Sequence, residues 1–172
     1  ASIMQPGVFL AAKSKNPNVK SWAVEGPSWG AADACLYTLG LNTQWGAMSD
    51  VNVRRAINRT VDREKLVMLA YESSTVARGI PDSTYGGLLA YKQKQADLIA
   101  KYDPTKHDLA EAAEHMALSG WTKDGDGMYT KDGAKFTFDL HVPGWLKPMG
   151  PVLEKQFKDG GFDTTFVLHD PD

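Results

Sequence analysis

The densest run of ligand-type residues is Asp124-Gly125-Asp126-Gly127, which opens like a calcium-binding loop, with carboxylates two residues apart able to face one hard cation. The rest of that pattern fails. Its third ligand position falls on Met128, its required glycine on Tyr129 and its closing glutamate on Lys135, so the run reads as a turn. His107 and His115 are eight residues apart, two turns of one helix, too far to grip a single ion together. His141 and His169 fall at strand positions far apart in sequence, with no cysteine or carboxylate cluster beside either. The single cysteine, Cys35, sits among Leu36, Tyr37 and Leu39 and reads as a buried thiol. There is no Gly-x-Ser-x-Gly elbow and no glycine-rich phosphate loop. The expectation is therefore a chain that is not an enzyme and uses no metal or cofactor. A small hydrolase is the less favoured alternative, because triads assemble from distant residues.

Binding chemistry is better represented. Five tryptophans stand in 172 residues, and Trp45 and Trp145 are flanked by glycine and loop-forming residues, whereas Trp121 follows a helix stop and should pack back on that helix. Flat indole faces suit apolar peptide side chains and the C–H faces of sugar rings alike. A net charge of −2 with interspersed signs carries no basic footprint for nucleic acid and no polybasic membrane patch. No run approaches the ~20 apolar residues of a membrane span.

The elements that would position these groups read as intermixed strands and helices, an α/β pattern. At 42% hydrophobic the chain suits one domain, 1–172, with a leading segment 1–18 and the domain proper over 19–172. Val19 to Glu25 and Cys35 to Thr43 read as strands around a Gly26-Pro27-Ser28-Trp29-Gly30 turn. In the second strand the period of two places Gly40 and Asn42 on one face, offering a bare backbone and an amide to a polar ligand. Asp50 caps a helix with Val53, Ala56 and Ile57 as its buried stripe. Asp62 caps a second, with Leu66, Leu69 and Ala70. Ser73 to Tyr91 reads as a surface loop. Asp103 caps a third helix with Pro104 in its first turn, the stripe Leu109, Ala112, Ala113, Met116 and Ala117, and its exit at Gly120. Met128 to Thr130 and Lys135 to Val142 flank a Lys131-Asp132-Gly133 hairpin turn. A last helix carries Met149, Val152, Leu153, Gln156 and Phe157, stops at Gly160-Gly161, and leads into the alternating strand Phe162, Thr164, Phe166, Leu168.

The order and spacing of one stretch go further: a strand from Leu39 to Thr43, then Asp50, Val53-Arg54, Ala56-Ile57, Asp62-Arg63 and Leu66-Val67. Gly79-Ile80-Pro81, Tyr102-Asp103-Pro104 and Ser119-Gly120-Trp121 follow in order. Together, over Cys35 to Leu168, this resembles the extracytoplasmic solute-binding proteins that serve ABC importers of peptides and nickel, the dipeptide/oligopeptide-binding family 5 type. The resemblance implies one α/β lobe of a two-lobed, type II periplasmic-binding-protein-like fold, a mixed sheet flanked by helices. The match is to the C-terminal lobe, so it also implies an excised lobe whose N-terminal partner lobe is missing, together with a later aromatic-Asp segment that meets a peptide's amino terminus.

The function implied is capture of short peptides by lobe closure and delivery to membrane permease subunits, with oligosaccharide or another small solute as the alternative ligand. The protein would be a periplasmic or extracytoplasmic monomer whose signal sequence has been removed. Because the strand end after Tyr37 borders the cleft in this family, the candidate ligand-binding residues are Gly40, Asn42, Trp45 and Trp145. Asp50, Arg54, Asp62 and Arg63 identify the structural motif, fastening the helix pair through caps and hydrogen bonds.

Overall fold

The computed structural model describes residues 6–21, 37–72 and 86–169. The expected strand Val19 to Glu25 and its following turn, Cys35 and Leu36, and the loop with Gly79-Ile80-Pro81 lie wholly or largely outside them. The described helices are α1 (Pro6–Lys15), α2 (Val51–Thr60), α3 (Arg63–Tyr71), α4 (Gly86–Lys94), α5 (Ala96–Tyr102), α6 (Leu109–Leu118) and α7 (Met149–Gly160). The strands are β1 (Thr122–Lys123), β2 (Tyr129–Lys131), β3 (Ala134–Lys135), β4 (Thr137–Pro143) and β5 (Asp163–His169). β1, β2 and β3 form a small antiparallel sheet, and β4 pairs with β5 in parallel across the α7 crossover.

α2 and α3 form as their local sequence dictates. Asp50 Oδ1 accepts from the Asn52 amide at 2.8 Å, and Val53, Ala56 and Ile57 are buried. Asp62 Oδ1 accepts from the Lys65 amide at 2.9 Å. Removing that cap with Asp62→Ala should cost ~1 kcal/mol, read as a lowered urea midpoint, and an unmoved midpoint would show the cap to be idle. On α3 the row Leu66–Ala70 meets the core, while Leu69, expected to be buried, is 55% exposed because it sits about 60° to the side of that row. The joint between the two helices is clasped from α7. The Gln156 side chain accepts from the Asp62 amide and donates to the Asp62 carbonyl, both at 3.0 Å.

Three further expectations, about where elements lie, need correction. Residues 37–42 make no strand ladder; a strand is held by a neighbour's hydrogen bonds, and none of the described strands pairs with this segment. The expected loop Ser73 to Tyr91 gives way to helix at Gly86. The third helix begins at Leu109, capped by Asp108, whose Oδ1 accepts from the amides of Ala110 and Glu111, and not by Asp103. Asp103 instead closes α5 in the left-handed region at φ 35°. His107 therefore precedes the helix that carries His115, while Leu109 and Ala117 are exposed and Ala112 and Met116 are buried.

What decides this rearrangement is Arg59, buried in the last turn of α2. Its Nη1 donates to the Asp103 carbonyl at 2.6 Å and its Nη2 to the Tyr102 carbonyl at 2.8 Å, while Nε lies 2.9 Å from Glu111 Oε1. The Arg59 carbonyl accepts from the Asp108 amide at 2.9 Å. One residue thus ends α5, starts α6 and docks both on α2.

The Lys106 ammonium, 2.8 Å from Asp108 Oδ2, and then the Glu111 amide hold the Asp108 carboxyl at about 2, below its usual 3.8. A depressed value means that the stabilisation is present above pH ~4 and is lost as pH falls through about 2. Carbon NMR of the Asp108 carboxyl should find its midpoint near 2; a midpoint at or above 3.8 would remove Lys106 as its partner.

The core is an aromatic stack. Phe136 meets Trp121 edge-on at 4.9 Å and Phe162 at 5.4 Å between ring centroids, and Phe138 meets Phe157 at 5.3 Å. The run from Lys135 to Val142, expected as one strand, divides at Phe136: β3 belongs to the antiparallel sheet and β4 to the parallel pair. Asp132 and Gly133, at φ 53° and 79°, make the hairpin turn their types favour. Gly161 ends α7 at φ 104°. Gly150 lets α7 lie against β5, since a Cβ there would enter the Phe166 ring.

Candidate functional site

The segment from Tyr37 to Ser49 crosses the surface next to this aromatic core. Asn42 folds it into a turn, its carbonyl accepting from the Trp45 amide and its Oδ1 from the Gln44 amide, each at 3.1 Å. A short 3-10 turn, Gly46–Ser49, follows and is tied down by Arg54, whose Nη1 donates to the carbonyls of Met48 and Ser49 at 2.8 Å. Gly40 and Asn42 therefore lie on an exposed, turning backbone and do not share a strand face. A side chain at Gly40 would meet open space, so nothing in the fold requires glycine there.

Among the described residues two tryptophans are exposed, Trp45 within this segment and Trp145 outside it. Trp45, 47% exposed, meets Phe136 almost at right angles with 6.5 Å between centroids. Trp145, 62% exposed, stands on the 3-10 turn Gly144–Leu146 after β4, and Tyr37 packs on it at 5.3 Å and 59°. Tyr37 is itself 49% exposed, so the segment presents an aromatic at each end with the Asn42 turn between. Trp121, in contrast, is half-buried against the core. Sequence reasoning did not single out Tyr37 as part of the face, since its contact with Trp145 joins residues that only the fold brings together.

Beside the 3-10 turn is a hollow of about 330 Å³, lined in part by Ser49, Asp50, Ser119, Trp121 and Lys131. The Ser119 hydroxyl, followed by the Asn52 amide and the charges of Lys131 and Arg54, holds the Asp50 carboxyl below the usual carboxylate range. Lys131 Nζ donates to the Ser119 carbonyl at 2.9 Å. The hollow thus holds a carboxylate, an ammonium and an indole, a set that suits small polar or zwitterionic groups.

The remaining singled-out residues are part of the scaffold. Arg63 donates to the side chain of Asn58 and to the carbonyls of Asn58 and Val61, and burial, with Arg59 nearby, pushes its guanidinium below the usual range. Asp124 Oδ1 accepts from the amides of Asp126 and Met128, and Lys135 Nζ lies 3.9 and 3.7 Å from the two carboxylates, the arrangement of a turn with a counter-charge. Among the described residues no group of three or more His, Cys, Asp or Glu side chains is placed to hold a metal ion, and no helix is long and apolar enough to cross a membrane.

Comparison with known proteins gives consistent matches. The family model for bacterial extracellular solute-binding proteins, family 5 Middle, matches residues 3–170. The oligopeptide-binding protein AppA of Bacillus subtilis (strain 168) is 28% identical over 129 residues, 73% of this chain and 22% of that protein. The periplasmic oligopeptide-binding protein of an oligopeptide ABC transporter from Thermotoga maritima superposes with a TM-score of 0.75 at 22% identity, over 98% of this chain and 31% of that one. A second structure of it, with mannohexaose bound, superposes at 0.69 and 19% identity over the same shares. These structures share the fold with this chain, which spans less than a third of their length.

Proposed function

This chain belongs to the bacterial extracellular solute-binding proteins of family 5, and from that premise we propose that it is the C-terminal lobe of a two-lobed protein that captures short peptides for an ABC importer. The observation that carries the reading is the exposure of Tyr37, Trp45 and Trp145 on a chain whose Phe136, Phe157 and Phe162 are buried. An aromatic face left in solvent beside a hollow with both charges is what half of a cleft offers to a peptide. The indoles and the phenol cover apolar side chains, and the charged pair meets backbone or termini. Closure of a second lobe over it would exclude water from the ligand and present one shape to the permease subunits outside the cytoplasm. AppA, named for oligopeptide binding, and the fraction of its length matched here support both the ligand class and the one-lobe reading.

An oligosaccharide is the second reading. It is favoured by the flat exposed indoles and by the mannohexaose in the Thermotoga relative. Calorimetry with di- to pentapeptides and with mannose oligosaccharides separates the two. A two-lobed protein containing this chain should bind peptides, whereas the 172-residue chain alone, holding half a cleft, should bind either class only feebly. Micromolar or tighter binding by the chain alone would overturn the one-lobe reading, and selective binding of the sugars by the two-lobed protein would replace the peptide reading.

A further inference from the structure

β4 and β5 run parallel in a register that sets Leu140 opposite Phe166 and Pro143 opposite His169. In that register His141 and His169, 28 residues apart in sequence, come together. Nδ1 of His141 lies 2.6 Å from Nε2 of His169, and the rings face each other at 4.8 Å and 32°. Both side chains are exposed, on the outer face of a strand pair whose Leu140 and Val142 point into the core. The fold does not need this contact: a hydrogen bond between two solvated imidazoles replaces hydrogen bonds that water supplies equally well.

We propose that His141 Nδ1 and His169 Nε2 are a two-point site for a divalent transition cation of the zinc, nickel or copper class. Imidazole nitrogen is a ligand those ions favour, and hard calcium or magnesium would find no oxygen donor in the pair. Bonds of about 2.0–2.1 Å place two adjacent ligand nitrogens roughly 2.9–3.4 Å apart around tetragonal or tetrahedral ions. The rings need only swing apart by less than about 1 Å, a rotation open to exposed side chains. The strand ladder already fixes the two backbones, so little ordering remains to oppose chelation. The ion displaces the proton that the two nitrogens share, which moves to the outer nitrogen of the same ring, His141 Nε2 or His169 Nδ1; water supplies the remaining ligands, and the site is independent of the solute-binding proposal.

The test is titration of the 172-residue chain with Cu²⁺ and with Ni²⁺ in a non-chelating buffer, by calorimetry and by quenching of tryptophan fluorescence. Trp145, four residues after His141, is the nearby reporter in sequence. One saturable equivalent is expected, tighter for Cu²⁺ than for Ni²⁺. His141→Ala and His169→Ala should each weaken it at least tenfold, while His115→Ala should leave it unchanged. Proton NMR of the unaltered chain with Zn²⁺ gives a second readout, free of any folding defect in the variants: the His141 and His169 ring resonances should shift together, ahead of those of His107 and His115. No saturable binding up to millimolar ion, or binding that neither substitution weakens, would overturn the proposal.

Discussion

Replacing Arg59 with methionine should lower stability by about 3–5 kcal/mol, the largest effect expected of any single scaffold change, measured as a shift of the urea midpoint at unchanged slope. The methionine keeps most of the buried volume. It leaves the Tyr102 and Asp103 carbonyls without their guanidinium donors and Glu111 without the charge 2.9 Å away. Glu111 retains Lys106 at 2.9 Å, so the larger loss is expected at the end of α5 and the docking of α6. The double variant Arg59→Met with Glu111→Leu separates the two contributions, because it removes the stranded carboxylate and leaves the stranded carbonyls. It should recover only part of the loss. A single-variant loss below ~1 kcal/mol would show that α5 and α6 dock without this residue.

The second large effect concerns ligand affinity. In a two-lobed protein containing this chain, Trp45→Ala and Trp145→Ala should each weaken ligand binding by about 2 kcal/mol, roughly thirtyfold, while leaving the thermal midpoint nearly unmoved. The split follows from exposure: both rings are about half or more in solvent and add little to the core, so their main contribution is to whatever covers them. Trp121→Ala should differ in destabilising the fold as well, since that ring packs on Phe136 at 4.9 Å. Equal affinity in all three variants would remove the aromatic face from the binding site.

The legible parts of the fold were those set by neighbours in sequence. Asp50 and Asp62 cap helices because a short carboxylate reaches the amides of the next turn, and Asp132-Gly133 turns the hairpin because those types tolerate positive φ. The α7 stripe and its Gly161 stop were readable for the same reason. Illegible were the features set by distant partners. Asp103 and Asp108 are equally good caps by type, and Arg59, more than forty residues upstream, distinguishes them: its guanidinium holds the Asp103 carbonyl at the end of α5 and its own carbonyl accepts from the Asp108 amide at the start of α6. Gln156 looked like one member of an apolar stripe, yet it clasps the Asp62 backbone 94 residues away. At the candidate site, the loop character of Trp45 and Trp145 pointed to exposed rings. Tyr37 and Lys131 enter only because the fold brings the 37–49 segment against Trp145 and the Ser119 corner.

The central claim, that the face of Asn42, Trp45 and Trp145 meets the ligand, is tested most directly by acrylamide quenching of single-tryptophan variants, in this chain and in the two-lobed protein with and without ligand. In the chain alone Trp45 and Trp145 should quench more readily than Trp121, and ligand in the two-lobed protein should shield at least one of them. Trp45 and Trp145 that remain as accessible with bound ligand as without it would contradict the claim and place the cleft elsewhere on the lobe.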